Sequence, residues 1–437
     1  MLATQTKTLV DLDRLKPSPE WAFANSGRSE TNYITHGYHR YPAKFIPNIV
    51  KKLIEDYTEP GDVVVDPFGG CGTTLVEAKI SGRKSYGFDI NPVAKLISQV
   101  KITPIYPKTL ENSLKKFERY IQLRPAEFSI TNERLYHWFS KTTIEELNVI
   151  YSAIKSLKDY NVRRFYLCAF SHILKNCSHW LMKSIKPQVD PEKIPPKPID
   201  VFRKHLQFMI KRNNSFFFLL KEAGRLDTPA KMRIADSTKR LPLQDHGIDL
   251  IITSPPYVTS YEYADLHQLS LLWFGNDKHF FKKWGRHIKD YNGFRKKFIG
   301  SSIRKIRRDG DLNSDIGDGI VKKLFQRDFS VAKGVTHYFL DMNKSFNEMF
   351  RILKRGGRAC VIIGDTNLCG IEISNSEVAT EQMQNIGFRP LEFIKREITN
   401  KMITPWRDPK SGHFTSHSNP GKKRVYQFEY ILVMEKV

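Results

Sequence analysis

Short, almost wholly apolar runs recur along the chain, and each ends in a polar residue. The four clearest are Val63–Asp66, Lys84–Asp89, Ile248–Thr253 and residues 358–364, the last followed by Asp365. Runs of this length with polar residues at their carboxyl ends are typical of strands buried in a parallel sheet. Stretches of helical period lie between them, such as residues 73–80 and 92–100. This alternation predicts a doubly wound α/β domain.

The polar residues at the strand ends mark one edge of the predicted sheet. Asp66 and Asp89 end two of the runs, and Ser254 follows a third. Open parallel sheets bind their ligands outside the carboxyl ends of the strands. We therefore expect these three side chains to lie near one another in a functional site.

Positive charge is concentrated in two parts of the chain. The 437 residues include 70 Lys and Arg against 46 Asp and Glu, which gives a net charge of +24. Residues 104–230 contain 22 basic and 12 acidic side chains, and residues 278–330 contain 15 and 6. The remaining parts are closer to balance. A polyanion, most often nucleic acid, is the leading class of partner for such a chain; a generally solvated basic surface is the alternative.

This charge distribution predicts a nearly neutral core interrupted by two basic inserts. Residues 104–230 are rich in helix formers and aromatic residues and are predicted to form a mostly helical insert. Residues 278–330 favour loops and short helices with interleaved basic and aromatic side chains. The core is predicted to comprise residues 30–103, residues 231–277 and residues 331–437.

Composition argues against several classes of protein. Hydrophobic residues make up 40% of the chain and aromatic residues 12%, which is incompatible with global disorder. No stretch approaches the ~18 consecutive apolar residues of a membrane span, and the N-terminal residues lack the apolar segment of a secretion signal. The five cysteines form no CxxC pair, so we expect reduced thiols in a cytosol. No metal site is predicted.

A glycine-rich turn, DPFGGCGTT at residues 66–74, connects the first strand to a predicted helix. Glycines permit a tight turn and a close approach of ligand to backbone, and a helix N-terminus presents unsatisfied N–H groups. The turn matches neither the Walker loop nor GxGxxG, so a turn without a ligand is the alternative. Asp89 lies 23 residues after Asp66, at the end of the second strand, where a carboxylate suits two ribose hydroxyls.

A second turn, TSPPY at residues 253–257, follows the strand Ile248–Thr253. Its two prolines remove two backbone donors. The turn is therefore rigid, and it presents carbonyl acceptors, a serine hydroxyl and an aromatic ring. Such a turn can accept hydrogen bonds from an exocyclic amine and stack a flat base; a plain strand-terminating loop is the alternative.

The pair DPFGGCGTT and TSPPY resembles the S-adenosylmethionine-dependent amino-methyltransferases of DNA, whose core is a Rossmann-like methyltransferase sheet. The serine form resembles the branch that methylates cytosine at N4, since the adenine-N6 branch usually has Asp or Asn at that position. The segment HRYPAKF at residues 39–45 and the segment at residues 234–237 also resemble parts of the family. The resemblance implies that residues 30–103 form the first part of the methyltransferase core, the half that binds the cofactor. It does not extend to either basic insert.

The resemblance implies a role for each matching residue. The predicted cofactor-binding residues are Pro42, Ala43, Lys44, Phe45, Asp66, Pro67, Phe68, Gly69, Gly70, Gly72, Thr73, Thr74, Asp89, Ile90, Asp236 and Ser237. Asp66 is expected near the methionine amino group, Asp89 at the ribose hydroxyls and Asp236 at the adenine amine. An ordinary solvated lysine is the alternative for Lys44. The predicted catalytic residues are Ser254, Pro255, Pro256 and Tyr257.

The basic inserts are expected to hold the nucleic acid. Their densest cluster consists of Arg304, Lys305, Arg307 and Arg308, and each phosphate neutralised would release counterions. A flexible, non-specific basic patch is the alternative.

The resemblance implies methyl transfer to cytosine N4 of double-stranded DNA after the base leaves the helix. It also implies a site-specific modification enzyme with a cognate restriction endonuclease, acting at the nucleoid in a bacterial or archaeal cytosol. The alternatives are an adenine-N6 DNA methyltransferase, an RNA amino-methyltransferase and a non-catalytic nucleic-acid-binding protein on the same scaffold.

Overall fold

The computed structural model describes most of the chain. The described residues are 12–42, 44, 46–123, 132–184, 186–258, 263–275, 291–301, 304, 310–399, 406–408, 415–424 and 427–437.

The described residues form the strands and helices that follow. The strands are β1 Val63–Asp66, β2 Lys84–Asp89, β3 Ala230–Ile234, β4 Ile248–Thr253, β5 Leu353–Ile363, β6 Thr366–Leu368, β7 Ile371–Ile373, β8 Phe388–Glu397, β9 Trp406–Arg407, β10 Lys423–Arg424 and β11 Phe428–Lys436. The helices are α1 Pro19–Ala22, α2 Arg28–Thr31, α3 Pro47–Tyr57, α4 Thr73–Ile80, α5 Pro92–Ile102, α6 Pro107–Leu123, α7 Lys141–Ser156, α8 Tyr160–Cys177, α9 Pro198–Glu222, α10 Tyr263–Leu266, α11 Gln268–Phe274, α12 Tyr291–Arg295, α13 Asp315–Phe325, α14 Phe329–Ile352 and α15 Asn375–Ile386.

Seven strands form one sheet in the order β3-β2-β1-β4-β5-β11-β8. The pairs from β3 to β5 are parallel, whereas β11 runs antiparallel to both of its neighbours. A mostly parallel sheet with helices on its faces confirms the predicted α/β, Rossmann-like fold class. The carboxyl ends of β1 to β5 therefore meet at one edge of the sheet.

The central strands are buried on both faces. Alternate residues of a strand point to opposite faces of a sheet, so Val64 and Val65 of β1 enter two different hydrophobic clusters. One cluster joins Val64 to Leu250, Ile252, Cys360, Ile362, Ile431 and Val433 and to the apolar side chains of α3. The other joins Val65 to Ile251, Ala359, Val361, Ile363, Leu432 and Met434 and to α14 and α15. Burial on both faces explains why the runs are almost wholly apolar.

The predicted run at residues 358–364 becomes a longer strand. β5 begins at Leu353, because Leu353 already pairs with Ile248 of β4. The register then shifts before Leu250 pairs with Arg358. Gly356 has a φ of 74° within this irregular stretch, a conformation that glycine adopts at low cost.

Helices α6 to α9, all within residues 104–230, pack around a core of their own. Helix α8 is the centre of this helical block, since 12 of its 18 residues are buried. Phe117 of α6, Tyr166 of α8 and Phe202 of α9 lie with ring centroids 5.2–6.3 Å apart. Trp273 of α11 is fully buried against Phe170. Helix α11 thereby connects the helical block to the segment that follows β4.

A cluster of four histidines, of which His39 and His267 are buried and His172 and His205 half-buried, joins the segment before α3 to the helical block. The imidazoles of His172 and His205 stack with centroids 3.7 Å apart, and His39 lies 5.4 Å from His172 and 5.8 Å from His267. Burial lowers the pKa of His205 and of His267 to about 4, and it holds the pKa of the other two well below the usual value. The cluster is therefore neutral at pH 7.

Acid is expected to weaken this junction. A histidine whose pKa is lower in the folded state contributes stability that is complete above the unfolded value of about 6.5 and is lost as the pH falls towards the folded value. His205→Gln should reduce the loss of stability as the pH falls from about 6.5 to 5, by at most about 1.4 kcal/mol per pH unit, because glutamine does not titrate. Its amide can still donate to the Tyr38 carbonyl, which His205 Nε2 contacts at 2.9 Å.

Thermal unfolding followed by circular dichroism at several pH values measures this effect. His417→Gln, at an exposed position, is the matched control and should keep the wild-type pH dependence. Equal pH dependence in the His205 and His417 variants would contradict the prediction.

Candidate active site

A cleft opens at the carboxyl edge of the sheet. It encloses about 860 Å³ of space, part of it open to solvent. The described residues that line it come from the ends of β1 to β4, from the segment before α3 and from the segment after α12. They are Tyr41, Lys44, Pro67, Phe68, Gly69, Gly70, Cys71, Thr73, Asp89, Ile90, Asn91, Ala235, Asp236, Ser237, Ser254, Pro256, Lys297, Phe298 and Ile299.

The glycine-rich turn forms the floor of the cleft. Gly70 has a φ of 44° and Gly72 a φ of 78°, and both angles are costly for residues with a Cβ. A Cβ on Gly72 would also lie 2.9 Å from Ser98. The Ser98 hydroxyl in turn donates to the Gly70 carbonyl at 2.7 Å. The turn therefore leaves the backbone of Gly69 and Gly70 accessible to a ligand.

Asp66 supports the turn from below. The Thr253 hydroxyl and the Phe68 N–H donate to Oδ1 at 2.7 and 3.0 Å, and the Thr74 hydroxyl donates to Oδ2 at 2.9 Å. Burial raises the pKa of Asp66, and these hydrogen bonds lower it. The effect of burial is the larger, so that the pKa is about 6. Asp66 is 1% exposed and is absent from the described cleft lining. Its geometry argues for positioning the turns and against direct contact with a ligand.

Asp89 joins the second strand to the same turn and lines the cleft. Its Oδ2 accepts the Gly70 N–H at 3.2 Å, and its Oδ1 accepts the Asn91 N–H at 2.7 Å. The pKa of Asp89 is raised to about 6, mainly by burial and also by the nearby Asp66, against the amide hydrogen bonds, which lower it. A carboxylate so placed can accept hydrogen bonds from hydroxyl groups in the cleft.

Asp236 and Ser237 follow β3 on the same edge. Asp236 Oδ1 accepts the Thr238 N–H at 3.0 Å and the Thr238 hydroxyl at 2.7 Å. Oδ2 lies 3.5 Å from Lys239 Nζ, an exposed pair that contributes little to stability. A cleft with carboxylates on two neighbouring strands favours a ligand that carries several hydrogen-bond donors.

Lys44 places a cation in the lining of the cleft. Its Nζ donates to Asn32 Oδ1 at 2.7 Å and to the His36 carbonyl at 3.2 Å. The pKa of Lys44 is lowered to about 8, mainly by burial and also by the charge of Lys101. Lys44 is thus held by protein groups and is not an ordinary solvated lysine.

The Ser-Pro-Pro-Tyr turn brings two of its four residues into the cleft. Ser254 and Pro256 line it, and the Ser254 hydroxyl has no partner among the described residues. Tyr257 points away, because its hydroxyl donates to Glu429 Oε2 of β11 at 3.0 Å. Gly364 makes room for this ring, since a Cβ there would lie 3.0 Å from it.

The structure brings together most of the predicted site residues. Those that line the cleft are Lys44, Pro67, Phe68, Gly69, Gly70, Thr73, Asp89, Ile90, Asp236, Ser237, Ser254 and Pro256. The described residues that do not line it are Pro42, Asp66, Gly72, Thr74, Pro255 and Tyr257. Ala43 and Phe45 lie outside the described residues.

Sequence reasoning missed seven lining residues. Tyr41, Cys71, Asn91 and Ala235 are neighbours of residues that were predicted, so the motifs that contain them carried the signal. No motif in the sequence gave a signal for the other three, which are Lys297, Phe298 and Ile299. They cover the cleft because Phe298 packs on the core of the helical block and Ile299 on the core of the sheet.

The predicted DNA-contacting cluster is described only at Arg304. Its guanidinium pairs with Asp341 of α14, which also accepts the Gly300 N–H at 3.4 Å. Much of the charge of Arg304 is therefore matched within the fold. Lys305, Arg307 and Arg308 lie outside the described residues, and contact of this cluster with DNA stays a prediction.

Comparison of the chain with models of protein families identifies one family. The N6/N4-methyltransferase model, described as DNA methylase, matches residues 7–100 and 248–437, which is more than half of the chain. The chain belongs to the N6/N4 DNA methylase family. It is therefore an S-adenosylmethionine-dependent DNA methyltransferase.

Individual relatives match over different lengths of this DNA methyltransferase. The Type II methyltransferase M.MvaI of Kocuria varians is 26% identical, and the match covers 89% of each chain. The Type II methyltransferase M.BsoBI of Geobacillus stearothermophilus is 22% identical over 88% of this chain and 87% of its own. The DNA adenine methyltransferase YhdJ of Escherichia coli is 35% identical over 20% of this chain and 30% of its own.

The cleft residues fit S-adenosylmethionine. A Cβ on Gly70 would lie 3.2 Å from the hydroxyl oxygen of Tyr41, another lining residue, so glycine at this position leaves space for a ligand. Asp89 and Asp236 add carboxylate acceptors to the lining, which suit a ligand with hydroxyl and amine donors. Among the described residues, no group of three or more His, Cys, Asp or Glu side chains could hold a metal ion. None of the described helices combines the length and the apolar character needed to cross a bilayer.

Cofactor binding is expected to weaken below pH 6. Protonation of Asp89, whose pKa is about 6, removes an acceptor, so the Kd for S-adenosylmethionine should rise about tenfold per pH unit below that value. Asp89→Asn should bind weakly at pH 8 and lose this pH dependence. Isothermal titration calorimetry between pH 5 and pH 8 measures both effects.

Asp56→Asn on α3 is the control and should retain the wild-type profile. A wild-type Kd that stays constant to pH 5, while circular dichroism shows a folded protein, would refute this role of Asp89.

Proposed function

We propose that this DNA methyltransferase transfers a methyl group to the N4 amine of cytosine in duplex DNA, after the base has left the helix. We further propose that it is the modification enzyme of a restriction-modification system with a cognate endonuclease. The Type II methyltransferase names of the two long matches support this second part.

One observation carries the proposal. Ser254 and Pro256 of the TSPPY turn line the same cleft as the glycine-rich turn and Asp89. An acceptor for an amine therefore lies beside the residues that fit the cofactor. This arrangement supports direct transfer between two molecules held together.

Named residues are proposed to hold the cofactor. Asp89 accepts the ribose hydroxyls, Asp236 accepts the adenine amine, and Lys44 lies at the methionine end. Asp66 acts through the turns that it positions. S-adenosylmethionine supplies an electrophilic methyl group on its sulfonium.

The target amine is a poor nucleophile, because its lone pair is delocalised into the ring. Its N–H groups donate to the Ser254 hydroxyl and to a carbonyl of the Pro255–Pro256 turn. These hydrogen bonds favour a pyramidal nitrogen, whose lone pair is then available for the methyl group. The same acceptors stabilise positive charge as it develops on that nitrogen. The nitrogen then loses one of its protons to solvent, and S-adenosylhomocysteine is the second product. The prolines keep the turn rigid, so these acceptors need no reorganisation.

Serine at position 254 is the feature that favours cytosine, because it resembles the N4 branch of the family. The YhdJ match is the observation that favours adenine N6 as a second candidate. The two basic intervals, residues 104–230 and 278–330, are proposed to grip the DNA in either case.

Product analysis separates the candidates. The enzyme is incubated with tritiated S-adenosylmethionine and unmethylated duplex DNA, and the DNA is digested to nucleosides. We expect the label in N4-methylcytosine. Label confined to N6-methyladenine, or no label in DNA, would contradict the proposal.

The same assay tests the turn. Ser254→Ala should lower the single-turnover rate about 10²-fold, because the amine loses one acceptor, while the Kd for S-adenosylmethionine changes little. Ser330→Ala, at an exposed position on α14, should behave as wild type. A Ser254 variant with the wild-type rate would exclude this role.

A further inference from the structure

Three cationic side chains meet where the segment before α3 joins the helical block. They are Arg40, Lys175 near the end of α8, and Lys193 between α8 and α9, and together they form the cation cluster. The Nζ of Lys193 donates to the carbonyl of Lys175 at 2.9 Å. The Arg40 guanidinium donates to Oδ1 of Asn176, the residue after Lys175, at 3.4 Å. Separate parts of the chain thus bring positive charge to the C-terminal end of α8.

The charge of the cation cluster is not matched by ion pairs. The Lys175 Nζ donates to the Ser184 carbonyl at 2.7 Å, and the Lys193 Nζ donates also to the Trp180 carbonyl at 3.0 Å. The acceptors of all three cations are therefore neutral amide oxygens. No carboxylate in the described part of the chain forms an ion pair with Arg40, Lys175 or Lys193.

The members of the cation cluster also repel one another. The pKa of Lys175 is lowered to about 8, mainly by burial and also by the charges of Arg40 and Lys193. The pKa of Lys193 is lowered mainly by burial; Cys177 and Asp190 oppose this shift, and Arg40 adds to it. Like charges held close together disfavour the charged forms. An anion bound by the cluster would therefore stabilise the protonated lysines.

The surrounding core orders the cation cluster before any ligand binds. The Nζ of Lys175 lies 5.2 Å from the ring centroid of Trp180. The Trp180 ring is buried and stacks on Trp138, with centroids 5.1 Å apart. Lys175 and Lys193 are half-buried, whereas Arg40 is exposed, so a ligand can reach the cluster from solvent. Side chains that are already ordered lose little freedom on binding.

Arg40 also fixes the cation cluster beside the cleft. The next residue, Tyr41, lines the cleft. On the other side, the Arg40 N–H donates to Nδ1 of His172 on α8 at 3.2 Å. The preceding His39 has its Nε2 3.0 Å from the hydroxyl of Ser171, also on α8. The cluster is therefore attached both to the wall of the cleft and to the helical block.

We propose that Arg40, Lys175 and Lys193 bind phosphates of the DNA backbone close to the base that enters the cleft. A phosphodiester supplies the negative charge that the cation cluster lacks, and phosphate contacts fix the position of a protein on a duplex. Lys175 and Lys193 belong to the first basic interval, whereas Arg40 lies outside both intervals. The inference rests on duplex DNA as the substrate and is independent of which base is methylated.

The test neutralises the cation cluster in the full-length enzyme. The slope of log K against log [salt] for a DNA duplex should become shallower by about 0.9 in R40Q and by about 2 in R40Q/K175Q, because each lost phosphate contact removes about 0.9. The affinity for DNA should fall in both variants, while the Kd for S-adenosylmethionine stays unchanged. R40K retains the charge and should keep the wild-type slope.

The matched controls are K84Q for the single variant and K84Q/R355Q for the double variant. These exposed residues lie near the amino ends of β2 and β5, at the opposite edge of the sheet, and the controls remove the same charge. Both controls should keep the wild-type salt slope. Equal slopes in the cluster variants and their controls would mean that only net charge matters, and they would overturn the inference.

Further outcomes are also decisive. Cluster variants with the wild-type slope and DNA affinity overturn the inference alone, provided that the unaltered enzyme binds DNA. A slope in R40K as shallow as that in R40Q would contradict a contact made through charge. Failure of the unaltered enzyme to bind duplex DNA overturns the proposed function and this inference together. If circular dichroism shows that R40Q/K175Q is unfolded, R40Q alone decides the test, because Arg40 is exposed.

Discussion

The buried carboxylate of Asp66 is the constraint on which the site depends. It lies at the end of β1, and it accepts hydrogen bonds from the hydroxyl of Thr253 at the end of β4 and from that of Thr74 on α4. A buried carboxylate without such partners would be very unfavourable. The bonds therefore fix the glycine-rich turn and the Ser-Pro-Pro-Tyr turn relative to each other, since Thr253 directly precedes Ser254.

Contacts on either side extend this arrangement across the edge of the sheet. On one side, Asp89 holds the Gly70 amide and brings the end of β2 to the turn. On the other side, the Tyr257 hydroxyl donates to Glu429 and so connects the Ser-Pro-Pro-Tyr turn to β11. The cleft, the Ser-Pro-Pro-Tyr turn and the start of β11 are thus one connected unit.

Local pattern was sufficient to predict the centre of the fold. The bounds of β1, β2 and β4 follow from short apolar runs, because these strands are buried on both faces and few other structures tolerate such runs. Strand β5 was predicted too short, since its first pair, between Leu353 and Ile248, precedes an irregular stretch with exposed residues. The pattern of apolar and polar residues indicates which residues are buried, but it does not indicate where strand pairing becomes irregular.

The residues of the candidate site were predictable only where they belong to a recognisable sequence motif. Gly69, Asp89 and Ser254 belong to motifs whose chemistry can be recognised, whereas Lys297 and Ile299 reach the cleft through long-range packing that leaves no local signal. The burial of Asp66 likewise depends on Thr253, which is distant in sequence.

The coupling through Asp66 is tested most directly by Thr253→Val, which removes one hydroxyl and keeps the shape of the side chain. Rapid-quench measurement of a single turnover, with enzyme saturated by DNA and S-adenosylmethionine, reports on the chemical step. We expect a fall in the single-turnover rate of tenfold or more, on the order of 1.4 kcal/mol, while calorimetry shows a cofactor Kd close to that of wild type. A wild-type rate in a folded Thr253→Val variant would contradict a role of Asp66 in positioning the Ser-Pro-Pro-Tyr turn.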